Sequence, residues 1–224
     1  MDDDATLVKQ AKEGDYEAFE TLVSRHEQHA YWTALHILRQ REDAEDAVQT
    51  AFLQALEHLD GFREEASFRT WLGRIVANAS LKALRKRKGL DTVSLDAGTT
   101  EREDGLIPHP EYLAVWRGTP EELAENSELR ELLDKAIEAL PEKHRLVFLL
   151  RDIEGLSVAE TSNLLGISEA NVKVRLLRAR LAMRERLTRA FGDEARTMER
   201  HRDADADPRG ATDAEAILKS YLTR

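Results

Sequence analysis

A chain of 224 residues with 42% hydrophobic, 34% charged and only 6% aromatic residues is long enough for two small cores, and its composition favours helices over a β-sandwich. Its cysteine count of 0 excludes disulfides, thiolate metal sites and cysteine nucleophiles. The formal net charge of -10 is unevenly spread: residues 71–90 carry six basic residues and no acid, residues 171–190 carry seven basic residues against Glu185, each stretch is +6, and -22 is left for the rest.

A polyanion docking on either basic stretch feels mainly the local charge, because the Debye length is roughly 8 Å at physiological salt. No run of about 18 apolar residues occurs, as a membrane-spanning helix needs. The opening MDDDATL lacks the basic segment of a secretory signal. A cytoplasmic chain without membrane insertion is expected.

From Thr6 to Lys88 apolar residues recur at helical spacing: Phe19, Leu22 and Val23; Tyr31, Leu35 and Leu38; Ala47, Val48, Phe52 and Leu56; Phe68, Trp71, Leu72, Ile75, Val76 and Ala79. This predicts four helices around one core, within a first domain over 1–90. Between them, LDGFREEAS predicts a loop carrying Phe62 and Arg63, either an ordinary helix connection or an aromatic and a cation placed to stack on an unpaired base. On the following helix Arg74, Asn78 and Arg85 share an arc away from the apolar stripe, suited to a nucleic-acid backbone or base edges. The run RKRK at 85–88 fits phosphate contact better than a nuclear localisation patch.

Residues 91–128 contain Gly98, Gly105, Pro108, Pro110, Gly118 and Pro120 and a local charge of -8, which predicts an extended acidic linker. Helical periodicity resumes at Leu129 and stops at Pro141, and EKHRLVFLLRDIEG predicts a helix ending near Gly155. Ser157 and Glu160 form an S-x-x-E capping box for a third helix closed by Gly166, and Ser168 can cap a fourth reaching about Ala190. The last two helices have the layout of a helix-turn-helix within a second domain over 129–190. The fold class expected is all-α: two small helical domains joined by an acidic linker.

At 100° per residue the fourth helix places Val172, Leu176, Ala179 and Met183 in one seam. The opposite arc holds Asn171, Val174, Leu177, Arg178 and Leu181, either packed on another helix or laid in a major groove. There apolar side chains meet thymine methyls, Arg178 pairs with guanine, and flanking Lys173, Arg180 and Arg184 meet phosphates. Beyond it, the 191–224 extension predicts a polar linker and a short amphipathic helix capped by Thr212 and Glu215. Its Asp203, Asp205 and Asp207 resemble a calcium loop, but Pro208 and Ala214 stand where glycine and glutamate are needed.

The segment LPEKHRLVFLLRDIEGLSVAETSNLLGISEANVKVRLLRARLAMRERL closely resembles the promoter-recognition domain of bacterial sigma factors, and REDAEDAVQTAFLQAL with FRTWLGRIVANASLKALRKRK resembles their core-binding and minus-10 regions. Two such domains with nothing equivalent between them resemble the extracytoplasmic-function (ECF) subgroup of the sigma-70 family. The resemblance covers about residues 5–190. It implies a transcription initiation factor that directs core RNA polymerase to promoter DNA in a stress or envelope response, restrained by an anti-sigma factor. It implies polymerase contact by Asp43, Asp46, Gln49 and Phe52, minus-10 contact by Phe62, Arg63, Arg74 and Asn78, and minus-35 contact by Lys173, Val174, Leu177 and Arg178. One departure is Lys82, where many members carry an acid four residues after the asparagine. The linker of such proteins threads toward the RNA exit path.

Two rival readings stand beside it. A conventional repressor using the same helix-turn-helix would dimerise on half-sites. An enzyme is disfavoured: of seven histidines only His26 and His29 are close, without an H-E-x-x-H pattern. No catalytic residue, metal or cofactor is expected.

Overall fold

The computed structural model describes residues 3–89, 114–116 and 127–197. In chain order these form helices α1 (Asp4–Lys12), α2 (Tyr16–Leu38), α3 (Arg41–His58) and α4 (Phe68–Arg87), strand β1 (Ala114–Trp116), helices α5 (Ser127–Glu138), α6 (Glu142–Phe148), α7 (Val158–Leu165) and α8 (Glu169–Phe191), and strand β2 (Gly192–Thr197). Two compact units result, Met1–Gly98 with Leu149–Glu169, and Thr99–Phe148 with Ala170–Arg224. Residues 149–169, which sequence periodicity groups with 129–190, thus belong to the first unit.

In the first unit the helix starts are set locally. Asp3 accepts from the Thr6 N–H, Asp15 from those of Glu17 and Ala18, and Ser67 from that of Thr70, so each satisfies donors that a helix start leaves open. Leu22, Ile37, Leu38, Leu72, Val76, Leu81 and Leu84 fill the core between α2, α3 and α4. Helix α3 presents only Ala44, Ala47, Ala51 and Ala55 to it. Small side chains at this spacing let the backbones approach closely. The expectation that Val48, Phe52 and Leu56 belong to the core is corrected: Val48 and Phe52 are half-buried, Leu56 is exposed, and Leu53 beside them is 63% exposed. Both stripes have helical period, and the alanine stripe faces inward.

The other segment of this unit begins with a π turn, Leu149–Ile153, where the sequence predicted continuous α-helix. The Glu154 N–H donates to the Leu149 carbonyl at 2.9 Å, one residue wider than an α-helical bond. Gly155, at φ 68, ends the turn in the left-handed region. Helix α7 then opens on the predicted capping box and closes on Gly166 at φ 66.

In the second unit the buried apolar side chains among the described residues are Leu133, Ala136, Ile137 and Leu140 of α5 and the turn after it, Leu146, Val147 and Phe148 of α6, and Val172, Leu176, Ala179, Met183 and Leu187 of α8. The four predicted seam residues of α8 are all among them. Arg145, also buried, donates from Nη1 to the Leu140 carbonyl at 3.1 Å and closes the turn between α5 and α6.

The fold is all-α, with one small addition among the described residues. β1 and β2 form an antiparallel ribbon in which Ala114 lies opposite Thr197, Val115 opposite Asp193 and Trp116 opposite Gly192. The expected linker therefore contains a strand where the β-favouring Val115 and Trp116 occur, and α5 begins inside its predicted end. The remainder of 91–126, the Asp203 series and the amphipathic helix at 212–222 lie outside the described residues.

Candidate nucleic-acid interface

The arc predicted on α4 is present. Arg74, Asn78 and Arg85 line one side of a cavity of about 430 Å³, whose other side is Leu156, Glu160, Asn163 and Leu164. Asn78 is exposed and donates from its amide to the Arg74 carbonyl at 3.0 Å. Arg74 Nη1 is paired with Glu160 Oε1 at 3.2 Å, and Arg85 Nη2 donates to the Leu164 carbonyl. Farther along α4, Lys82, Lys86 and Lys88 are exposed. Arg87, by contrast, donates to the Leu38 carbonyl, Gln40 Oε1 and Asp43 Oδ2 and ties α4 to the start of α3.

Phe62 is not available as the sequence suggested. A 3-10 turn at Leu59–Gly61 folds it back, and it is 6% exposed, 5.1 Å from the Trp71 ring and edge-on to Phe68 at 6.1 Å. Aromatic edges and faces attract in this arrangement. Lys12 completes the cluster, its Nζ donating to the Phe62 carbonyl at 2.6 Å while lying 5.8 Å from the ring centre. No local pattern marks Lys12, because the contact spans fifty residues of chain. Arg63 remains exposed next to Glu64, whose φ of 58 reverses the loop.

On α8 the predicted residues divide. Lys173 is exposed, Val174 half-buried and Leu177 41% exposed, but Arg178 is only 9% exposed. Arg178 lies three residues beyond buried Arg175, so the inward face of α8 is wider on that side than its apolar seam. The expectation of an outward Arg178 is corrected accordingly.

Of the third predicted set, Gln49 and Phe52 line a groove between α2 and α3 with Phe19, Val23, Val48, Leu53 and Leu56. Asp46 is exposed at its side, and Asp43 is held by Arg87 at 2.6 Å. Apolar residues gathered along one groove differ from singly scattered ones, which are ordinary on a protein surface.

Hydrogen bonds from Ser157, then the charges of Arg74 and Arg151, hold the Glu160 carboxyl below its ordinary value. Burial lowers His26, and its contact with Asp4 at 2.7 Å does not reverse that. Among the described residues no cluster of His, Cys, Asp and Glu could hold a metal ion, and no helix is long and apolar enough to cross a membrane.

A helical lobe with a cationic arc and an apolar groove in one unit, and a long basic helix in the other, describe a DNA-binding protein that also docks on another macromolecule. Family models match in the same order: sigma-70 region 2 over residues 22–89, and sigma-70 region 4 over residues 130–183. The ECF RNA polymerase sigma factor SigW of Bacillus subtilis (strain 168) is 33% identical over 180 residues, covering 80% of this chain and 94% of that one. The ECF RNA polymerase sigma-E factor of Escherichia coli (strain K12) is 33% identical over 186 residues, covering 80% and 92%. A solved structure of CnrH in complex with the cytosolic domain of CnrY is 26% identical, covers 84% of this chain and 99% of that one, and superposes with a TM-score of 0.46. The chain belongs to the ECF group of the sigma-70 family. It is a promoter-specific transcription initiation factor and not an enzyme.

Proposed function

We propose that this chain acts in the cytoplasm by docking core RNA polymerase in the groove between α2 and α3 and by contacting two promoter elements with separate basic helices. Phe52 and Gln49, with Leu53 and Leu56, offer the apolar contact, and Asp43 and Asp46 flank it with negative charge. Arg63, Arg74 and Asn78 contact the minus-10 element as it opens, and Phe62 acts from within the aromatic cluster by holding the loop that carries Arg63. Lys173, Val174 and Leu177 contact the minus-35 element, and Arg178 supports them from the inward face of α8. In this reading residues 1–90 and 129–190 are the two working modules, joined by the acidic linker 91–128 and followed by the 191–224 extension. A protein anti-sigma factor restrains it and a stress or envelope signal releases it.

The observation that carries this reading is the inversion of α3, with alanines inward and Phe52, Leu53 and Leu56 outward. A conventional repressor would use such a face to dimerise, and sedimentation of the protein alone as a monomer would set that rival aside. The test is transcription on a genomic template library with core polymerase, with and without the protein. Selective new start sites should appear, and Lys173→Ala should weaken their use across templates. Unchanged start sites would reject the proposal.

A further inference from the structure

Helix α1 lies ahead of residues 22–89, the stretch that the sigma-70 region 2 model matches, yet both of its ends are fastened to the aromatic cluster of that stretch. At its start Asp4 accepts from Arg25 Nη1 at 3.1 Å and meets His26 Nε2 at 2.7 Å, and the His26 ring lies 5.4 Å from that of Phe68. Its middle is anchored by buried Leu7 and Val8. In its last turn half-buried Lys12 donates to the Phe62 carbonyl at 2.6 Å and lies 5.8 Å from the Phe62 ring centre. Phe62 closes the 3-10 turn, and its N–H donates to the Leu59 carbonyl at 3.0 Å. Its N–H, carbonyl and ring are therefore all held, the ring by Phe68 and Trp71, and exposed Arg63 leaves the cluster from a fixed peptide.

That fixation has a chemical use. A base drawn out of a duplex must be captured as it unpairs, and capture has to return the free energy of unstacking. A loop that is already ordered loses none of that return to its own conformational entropy. Residues 63–66 alone separate Phe62 from the Ser67 cap of α4, so freeing the Phe62 peptide frees the whole loop. We propose that Lys12 is a positioning residue for promoter opening: its ammonium clamps the Phe62 peptide and presents the 63–66 loop to an unpaired base of the minus-10 strand. This rests on the minus-10 role proposed for that loop. The charge matters as well as the reach, because a hydrogen bond from an ionised donor is about twice as strong as a neutral one and the cation also lies within range of the ring face.

Lys12→Met keeps the length and apolar stem of the side chain and removes donor and charge, whereas Lys12→Arg keeps both. Each is assayed as the full chain with core polymerase on two versions of one responsive promoter, fully paired or mismatched over the minus-10 element so that its bases are already unpaired. Opening of the paired template is read from permanganate oxidation of unpaired thymines, and RNA synthesis is read from both templates. Lys12→Met should lower opening of the paired template by about tenfold, the worth of one hydrogen bond from a charged donor. RNA from the mismatched template should stay near the parent level, association with core polymerase should not change, and Lys12→Arg should recover most of the opening. Parent-like opening by Lys12→Met overturns the clamp. So does an equal loss on both templates, which would place the defect in folding or core docking, and so does a loss that Lys12→Arg fails to recover. Arg63→Ala judges the underlying reading separately: if it opens the paired template as the parent does, the loop has no part in minus-10 contact, whereas a loss with Arg63→Ala alone removes Lys12 and leaves the role of the loop standing.

Discussion

At positions 44, 47, 51 and 55 alanine does what larger residues cannot: it buries one face of α3 while leaving Leu53 and Leu56 outside. A Leu left in water forgoes about 1.5 to 3 kcal/mol of burial, which a partner covering it can recover. Leu53→Asp is therefore expected to leave the melting temperature within a degree or two, as surface changes within about 0.5 kcal/mol do, and to weaken association with core polymerase by at least about tenfold in sedimentation or calorimetry. Loss of folding would show instead that Leu53 packs in the core. The sequence did not choose between the two stripes of α3, because Ala47 and Phe52 satisfy the same periodicity. Phe62 eluded it for a related reason: a loop aromatic is read as exposed until Phe68, Trp71 and Lys12 are known to surround it.

At the scale of elements, local signals were legible and distant ones were not. The capping box of Ser157 and Glu160, the left-handed stop at Gly166 and the seam of Val172, Leu176, Ala179 and Met183 all follow from residues within a few positions of each other. The seat of Glu154 against Thr33 spans 121 residues and left no periodic trace. Ser157→Ala removes the acceptor for the Glu160 N–H and should cost about 1 kcal/mol, read as a lower denaturant midpoint with unchanged slope. The same box gives a pH dependence. Glu160 titrates below its unfolded value, so its contribution is present above that value and lost as pH falls through the lowered folded one. His26 adds to this in the same direction, because its buried imidazole takes a proton less readily than the unfolded one and stability falls as pH drops through about 6.5. Melting in a pH series should show both losses, and Ser157→Ala should flatten the carboxylate part; a series in which the variant and parent run parallel would remove Glu160 as the cause.

Across the whole molecule, the -10 charge and the two +6 stretches are compatible because screening makes each surface act locally. Helices α4 and α8 belong to different compact units, so neither has to hold DNA tightly alone. Tethering raises the effective concentration of the second contact only when some partner fixes the distance between the two. The proposal assigns that task to core polymerase. Footprinting on one responsive promoter tests this most directly, comparing the protein alone, core enzyme alone and the two together. Protection of two separated elements, with strand opening at the downstream one, should appear only in the mixture. Equal protection by the protein alone, or one palindromic footprint bound by a dimer, would contradict it.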